Sequence, residues 1–80
     1  MIVKFDRIGR TGTTPEAALT VTVPEAAVNG GPDAIAAFLY RHVGKYLVSR
    51  DYNVSVDLSA GRVFIAGGRF GGGVIEEAQR

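Results

Sequence analysis

The chain has no Cys, no Trp, one His, one Met and three Pro in 80 residues. Without Cys there is no disulfide and no thiolate metal site, and a single His completes no common structural zinc site. Nucleophilic triads lack support as well, because Ser49, Ser55 and Ser59 stand in no G-x-S-x-G elbow and only His42 could act as base. No carboxylate pair is spaced for acid-base work: Glu76 and Glu77 are adjacent near the end, and Asp51 and Asp57 lie six apart. A non-enzyme is therefore expected, with no catalytic residue, no cofactor and no metal. Long apolar runs are also missing, and charges interrupt Met1–Arg7 where a signal peptide would need its hydrophobic region. A cytoplasmic protein with no membrane partner is the expectation.

Nine basic and eight acidic side chains leave a net charge of +1, so the overall field neither demands nor forbids a polyanion. The hydrophobic share of 46% suits one small globular domain. A domain of this size buries roughly 60% of its unfolded surface, and with no disulfide or metal the remaining stabilising device is self-association. A homo-oligomer, first a dimer, is expected, with another protein as the alternative partner.

Hydrophobic periodicity places the elements. Residues 2–8 put Val3 and Phe5 on one face and Lys4 and Asp6 on the other, as in a half-buried strand. A turn-rich stretch from Gly9 to Pro15 follows, and residues 18–23 alternate Leu19, Val21 and Val23 against Thr20 and Thr22. Thr13–Leu19 and Thr22–Val28 share T-x-P-E-A-A-aliphatic, chemistry suited to two helical turns rather than to a duplicated function. After Asn29-Gly30-Gly31, the spacing of Ile35, Phe38, Leu39, His42, Val43, Tyr46 and Leu47 predicts one amphipathic helix, opened by Pro32 and Asp33 and ending near Ser49 or Arg50. A second hairpin pairs residues 52–58 with 62–66, where Val63 and Ile65 face one way and Phe64 the other. The expected fold is α+β: ββαββ, one helix on a four-stranded sheet, protein-G-like or β-grasp-like, with hairpin exchange between chains open to it. The domain spans residues 1–73, with 74–80 a C-terminal tail or short extra strand and the glycine-rich Gly67–Gly73 a turn or linker.

Candidate sites follow from that layering, because one helix covers only one face of a sheet. For protein interaction the candidates are Tyr40, Arg41 and Gly44 on the outer helix face, together with Phe64 and Phe70. Gly44 inside a helix marks either a close approach by another backbone or a tolerated surface glycine. For nucleic acid the candidates are Arg7, Arg10, Arg62 and Arg69, which folding can gather onto one sheet face or end, with Phe64 or Tyr40 stacking on bases. The stretch Val63-Phe64-Ile65-Ala66-Gly67 resembles the aromatic strand motif of RNA-recognition folds, though no partner motif accompanies it. His42, alone on the apolar stripe, reads as a structural side chain. The leading expectation is a non-catalytic, self-associating interaction module, and the alternative is a small nucleic-acid-binding protein. Two hairpins, one helix and a late Gly72-Gly73 also resemble the ubiquitin-like β-grasp carriers. That resemblance implies conjugation through the paired glycines after removal of Val74–Arg80.

Overall fold

The computed structural model describes residues 1–9, 15–47 and 52–76. The first strand, β1 (Ile2–Ile8), pairs antiparallel with β2 (Thr20–Thr22), with Val3 opposite Val21. The strand pattern at 18–23 is shortened because Glu16–Leu19 forms a 3-10 turn, closed by the Ala18 amide donating to Pro15 O at 2.9 Å. The second T-x-P-E-A-A copy becomes the short helix α1 (Glu25–Asn29), so both copies are helical turns entered from a proline.

The long helix α2 (Pro32–Gly44) starts where expected, with Gly31 at φ 93° before Pro32 and Asp33 in the first turn. It buries Ile35, Leu39 and Val43. It ends earlier than its apolar stripe. At Gly44, the weakest helix former in the run, the chain tightens into turns in which Lys45 and Tyr46 amides donate to His42 O and Val43 O. Ser49 and Arg50, the expected terminus, lie outside the described residues. His42 donates from Nε2 to Ala18 O at 2.8 Å and its ring stacks on Phe5. It ties α2 to the 3-10 turn, a structural role.

Beyond the helix come β3 (Val54–Asp57), β4 (Arg62–Ile65) and β5 (Gly71–Glu76). The sheet has five strands in the order β2-β1-β5-β4-β3, and every neighbouring pair is antiparallel. The α+β class with one long helix on a sheet stands. The four-strand ββαββ count does not, and the terminal strands run antiparallel instead of forming the mixed sheet of a β-grasp. The cause is the glycine-rich segment. Instead of forming a turn or linker, Gly71, Gly72 and Gly73 open a strand between β1 and β4 that continues to Glu76. Gly73 stands between Phe5 and Val63 on the core face, and Gly72 between Arg7 and Phe64 on the other. Each glycine fills the gap between two large side chains, so tertiary fit overrides the low strand propensity of glycine.

The core lies between α2 and one sheet face, where Val3, Phe5, Val21, Val23, Val63 and Ile65 meet Ile35, Leu39 and Val43. Phe70 and Ile8 close one end. Among the described residues no helix is long and apolar enough to cross a membrane.

The β3–β4 turn is organised by Asp57, whose carboxylate accepts from Ser59 Oγ at 2.8 Å and from the Ala60 amide at 3.1 Å. The Ser59 hydroxyl, then the Ala60 amide, hold its pKa below the ordinary aspartate value. With the folded pKa below the unfolded one, the contribution of the turn is present above the ordinary aspartate range and is lost as pH falls through the lower folded value. An NMR titration is expected to show a lowered Asp57 midpoint that Ser59→Ala moves back up. An unchanged midpoint in that variant would remove Ser59 as the cause.

Candidate binding face

With α2 on one side, no element among the described residues covers the opposite sheet face. Along its middle row stand Thr20, Lys4, Val74, Arg62 and Asp57, in register across all five strands. The next row holds Arg7, Gly72, Phe64 and Ser55. Lys4 pairs with Glu76 at 3.2 Å, both exposed, which is worth about 0–1 kcal/mol and leaves neither charge unopposed.

Arg7 reaches this face through an irregularity in β1. Strict alternation would place Arg7 beside Val3 and Phe5 in the core. Between Phe5 and Arg7 the register shifts by one residue, so Phe5 pairs with Gly73 and Arg7 with Gly72, and Asp6 is the extra residue of a β-bulge. The shift turns Arg7 outward and drives Ile8, 1% exposed, into the core. There Arg7 donates from Nη2 to Arg69 O at 3.0 Å.

The bulge and the bare Gly72 together leave a depression of ≈ 340 Å³, lined by Asp6, Arg7, Arg62, Phe64, Gly68 and Gly72 among others. Phe64 is half-buried, and the Arg62 guanidinium carbon sits 5.9 Å from its ring centroid, within cation–π range. Across the turn at 66–69 lies a second depression, of ≈ 540 Å³, lined by Tyr52, Asn53, Ser55, Ala66, Gly67 and Arg69. The two together present three guanidinium groups, Arg7, Arg62 and Arg69, against one carboxylate, Asp6. Asp57, opposite Arg62 in register, has its carboxylate engaged by its own turn.

Two of the four arginines singled out from the sequence, Arg7 and Arg62, therefore meet Phe64 at the first depression, and Arg69 lines the second; Arg10 lies outside the described residues. The protein-interaction set does not converge. Phe70 is buried at 9% exposure, with the Arg69 guanidinium 6.0 Å from its ring, and cannot anchor a partner. Tyr40 and Arg41 are exposed on α2, away from Phe64 on the open sheet face. Tyr40 stacks on Tyr52 with centroids 4.7 Å apart, and the Tyr52 hydroxyl donates to Tyr40 O at 3.4 Å. That hydroxyl would stand 2.9 Å from a Cβ at Gly44. Gly44 thus marks close approach by a side chain of its own chain, not by another backbone. Gly72 and Gly73 sit inside β5, so cutting after Gly73 would remove the residues that pair with Ile2–Lys4.

Sequence reasoning missed Asp6 as a bulge and Gly72 as the floor of the first depression. The available signal was Ile8, an aliphatic residue out of phase with Val3 and Phe5. Asn53 and Ser55 carried no signal, being ordinary polar positions just before and within the edge strand β3. Among the described residues no three His, Asp or Glu side chains are grouped to hold a metal ion. Compared with protein-family models, with curated proteins and with solved structures, the chain matches none, so its own geometry is what speaks for its function.

Proposed function

We propose that the protein is a small non-catalytic binding module that takes single-stranded nucleic acid on its open sheet face. The observation that supports this reading is the meeting of Arg7, Arg62 and Phe64, from opposite ends of the chain, around one depression. A flat aromatic ring beside fixed cations is what a sequence-tolerant single-strand binder uses: the ring stacks a base and the guanidinium groups follow the phosphates. Gly72 stands between Arg7 and Phe64 in register and puts no side chain between them. Among the described residues of the two depressions, the 3:1 excess of guanidinium over carboxylate favours an anionic partner over a neutral or basic one, and the aromatic ring beside it favours a strand with bases to stack.

The test is fluorescence anisotropy with a labelled oligothymidylate over a salt series, with light scattering on the same sample. Affinity is expected to fall with salt with a log–log slope of about −2, from three phosphate contacts at roughly 0.7 each. Phe64→Ala is expected to cost about 1–3 kcal/mol of binding at constant salt, and Arg62→Gln to flatten the slope by about 0.7. No binding at low ionic strength would exclude the reading. So would a homodimer that forms without oligonucleotide and buries Phe64.

A further inference from the structure

We infer that the depression beside the 66–69 turn is a subsite for a phosphate-class oxyanion. The inference deepens the nucleic-acid reading and rests on it only for where the phosphate comes from. Ala66 stands at φ 53°, Gly67 at φ 66° and Gly68 at φ 99°, three successive residues in the left-handed region. An alanine there is strained and persists only where its surroundings hold it. They do hold it: the Ala66 amide donates to Asn53 O at 2.7 Å, the Arg69 amide to Ala66 O at 3.2 Å, and the Phe70 amide to Ile65 O at 3.2 Å.

Packing does not ask for the two glycines. A Cβ built at Gly67 or Gly68 meets no atom within 4 Å, in contrast to Gly72 and Gly73, whose Cβ atoms would collide with neighbouring strands. The turn therefore leaves bare backbone beside open space. The depression there is lined by Ser55, Asn53 and Arg69, whose side chains carry a hydroxyl, an amide and a guanidinium, with no carboxylate among the described lining residues. Such a donor set matches an anion with several oxygens, because guanidinium presents paired N–H groups and the neutral donors fill the remaining lone pairs. The main chain of Arg69 is fixed from the other side, its carbonyl accepting from Arg7. In the first depression Asp6 offsets one of the two guanidinium groups, whereas in the second Arg69 stands beside neutral side chains only, among the described residues.

The experiment is a titration of the ¹⁵N-labelled protein with inorganic phosphate at constant ionic strength, followed by amide shifts. Saturable shifts are expected at Asn53, Ser55, Ala66, Gly67 and Arg69, with little movement at Lys4 or Lys45. Arg69→Gln, at an exposed position, is expected to weaken phosphate binding by about tenfold, and Asn53→Ala with Ser55→Ala to weaken it independently. Phe64→Ala is expected to leave phosphate affinity unchanged while weakening the oligonucleotide. Phosphate binding without oligonucleotide binding supports the subsite with free phosphate as its ligand and excludes only the nucleic-acid reading. An oligonucleotide that shifts the same amides makes strand phosphate the source. Shifts that are absent, or spread evenly over every cationic residue, overturn the subsite even if the oligonucleotide still binds.

Discussion

Gly73→Ala is expected to remove a large part of the stability of the domain, although it adds a single methyl group. The new Cβ would stand 2.6 Å from Lys4 O and 3.0 Å from Phe5 Cα. Both are backbone atoms of β1, held by pairing on two sides, so neither can step aside as a flexible side chain would. Relief requires β5 to move away from β1, breaking the ladder that joins the two halves of the sheet. The cost expected of such overpacking is about 3–5 kcal/mol, against a total of roughly 4–12 kcal/mol for a domain of this length. Gly67→Ala separates this effect from the loss of glycine as such. It meets no atom within 4 Å but must adopt φ 66°, so its expected cost is about 1–2 kcal/mol. Urea unfolding followed by circular dichroism checks both. A Gly73→Ala variant with the midpoint of the parent would mean that β5 does not occupy the centre of the sheet.

The second large effect is expected at Leu39. It is 0% exposed on the face of α2 that lies against the sheet, so Leu39→Ala removes buried methyl groups and leaves a cavity between two layers. The expected loss is about 2–5 kcal/mol, which for a domain this small lowers the melting temperature by roughly 10–30 °C. The adjacent Tyr40 is 42% exposed, and Tyr40→Ala forfeits the ring contact with Tyr52 and is expected to cost only about 1 kcal/mol. Thermal melts of the two variants side by side test the orientation of α2. Equal losses, or the reverse order, would mean that the helix is rotated from the face described.

The helix was legible in the sequence because its signals agree with one another. A 3.6-residue apolar stripe, Pro32 at the start and Asp33 in the first turn all point the same way, and Ile35, Leu39 and Val43 are all buried. The alternation of Val63 and Ile65 against Phe64 likewise assigned the faces of β4, because strand side chains alternate whatever lies beside them. The same rule failed in β1, where the bulge at Asp6 reverses the phase for Arg7 and Ile8. Alternation describes one strand, while a bulge is a property of two. The end of α2 was overestimated for a related reason. Tyr46 and Leu47 continue the stripe, but the chain has by then turned into tighter hydrogen bonding past Gly44.

Most of the candidate site was named from residue type, and none of it was assembled that way. Arg7, Arg62, Arg69 and Phe64 were chosen because cations and an aromatic suit a polyanion. The meeting of Arg7, Arg62 and Phe64 depends on β1 pairing with β5 and β5 with β4, contacts that join the two ends of the chain. Local chemistry alone thus determined the class of the fold, the helix and its buried face, the hairpin of β3 and β4, and the absence of thiol or multi-histidine chemistry. Only the tertiary structure decided that a run of glycines is a central strand, that Arg7 points outward and that Phe70 points in. Periodicity and propensity act between residues a few positions apart, whereas those three outcomes depend on what stands across the ladder, where Gly72 and Gly73 leave room for Arg7, Phe64, Phe5 and Val63.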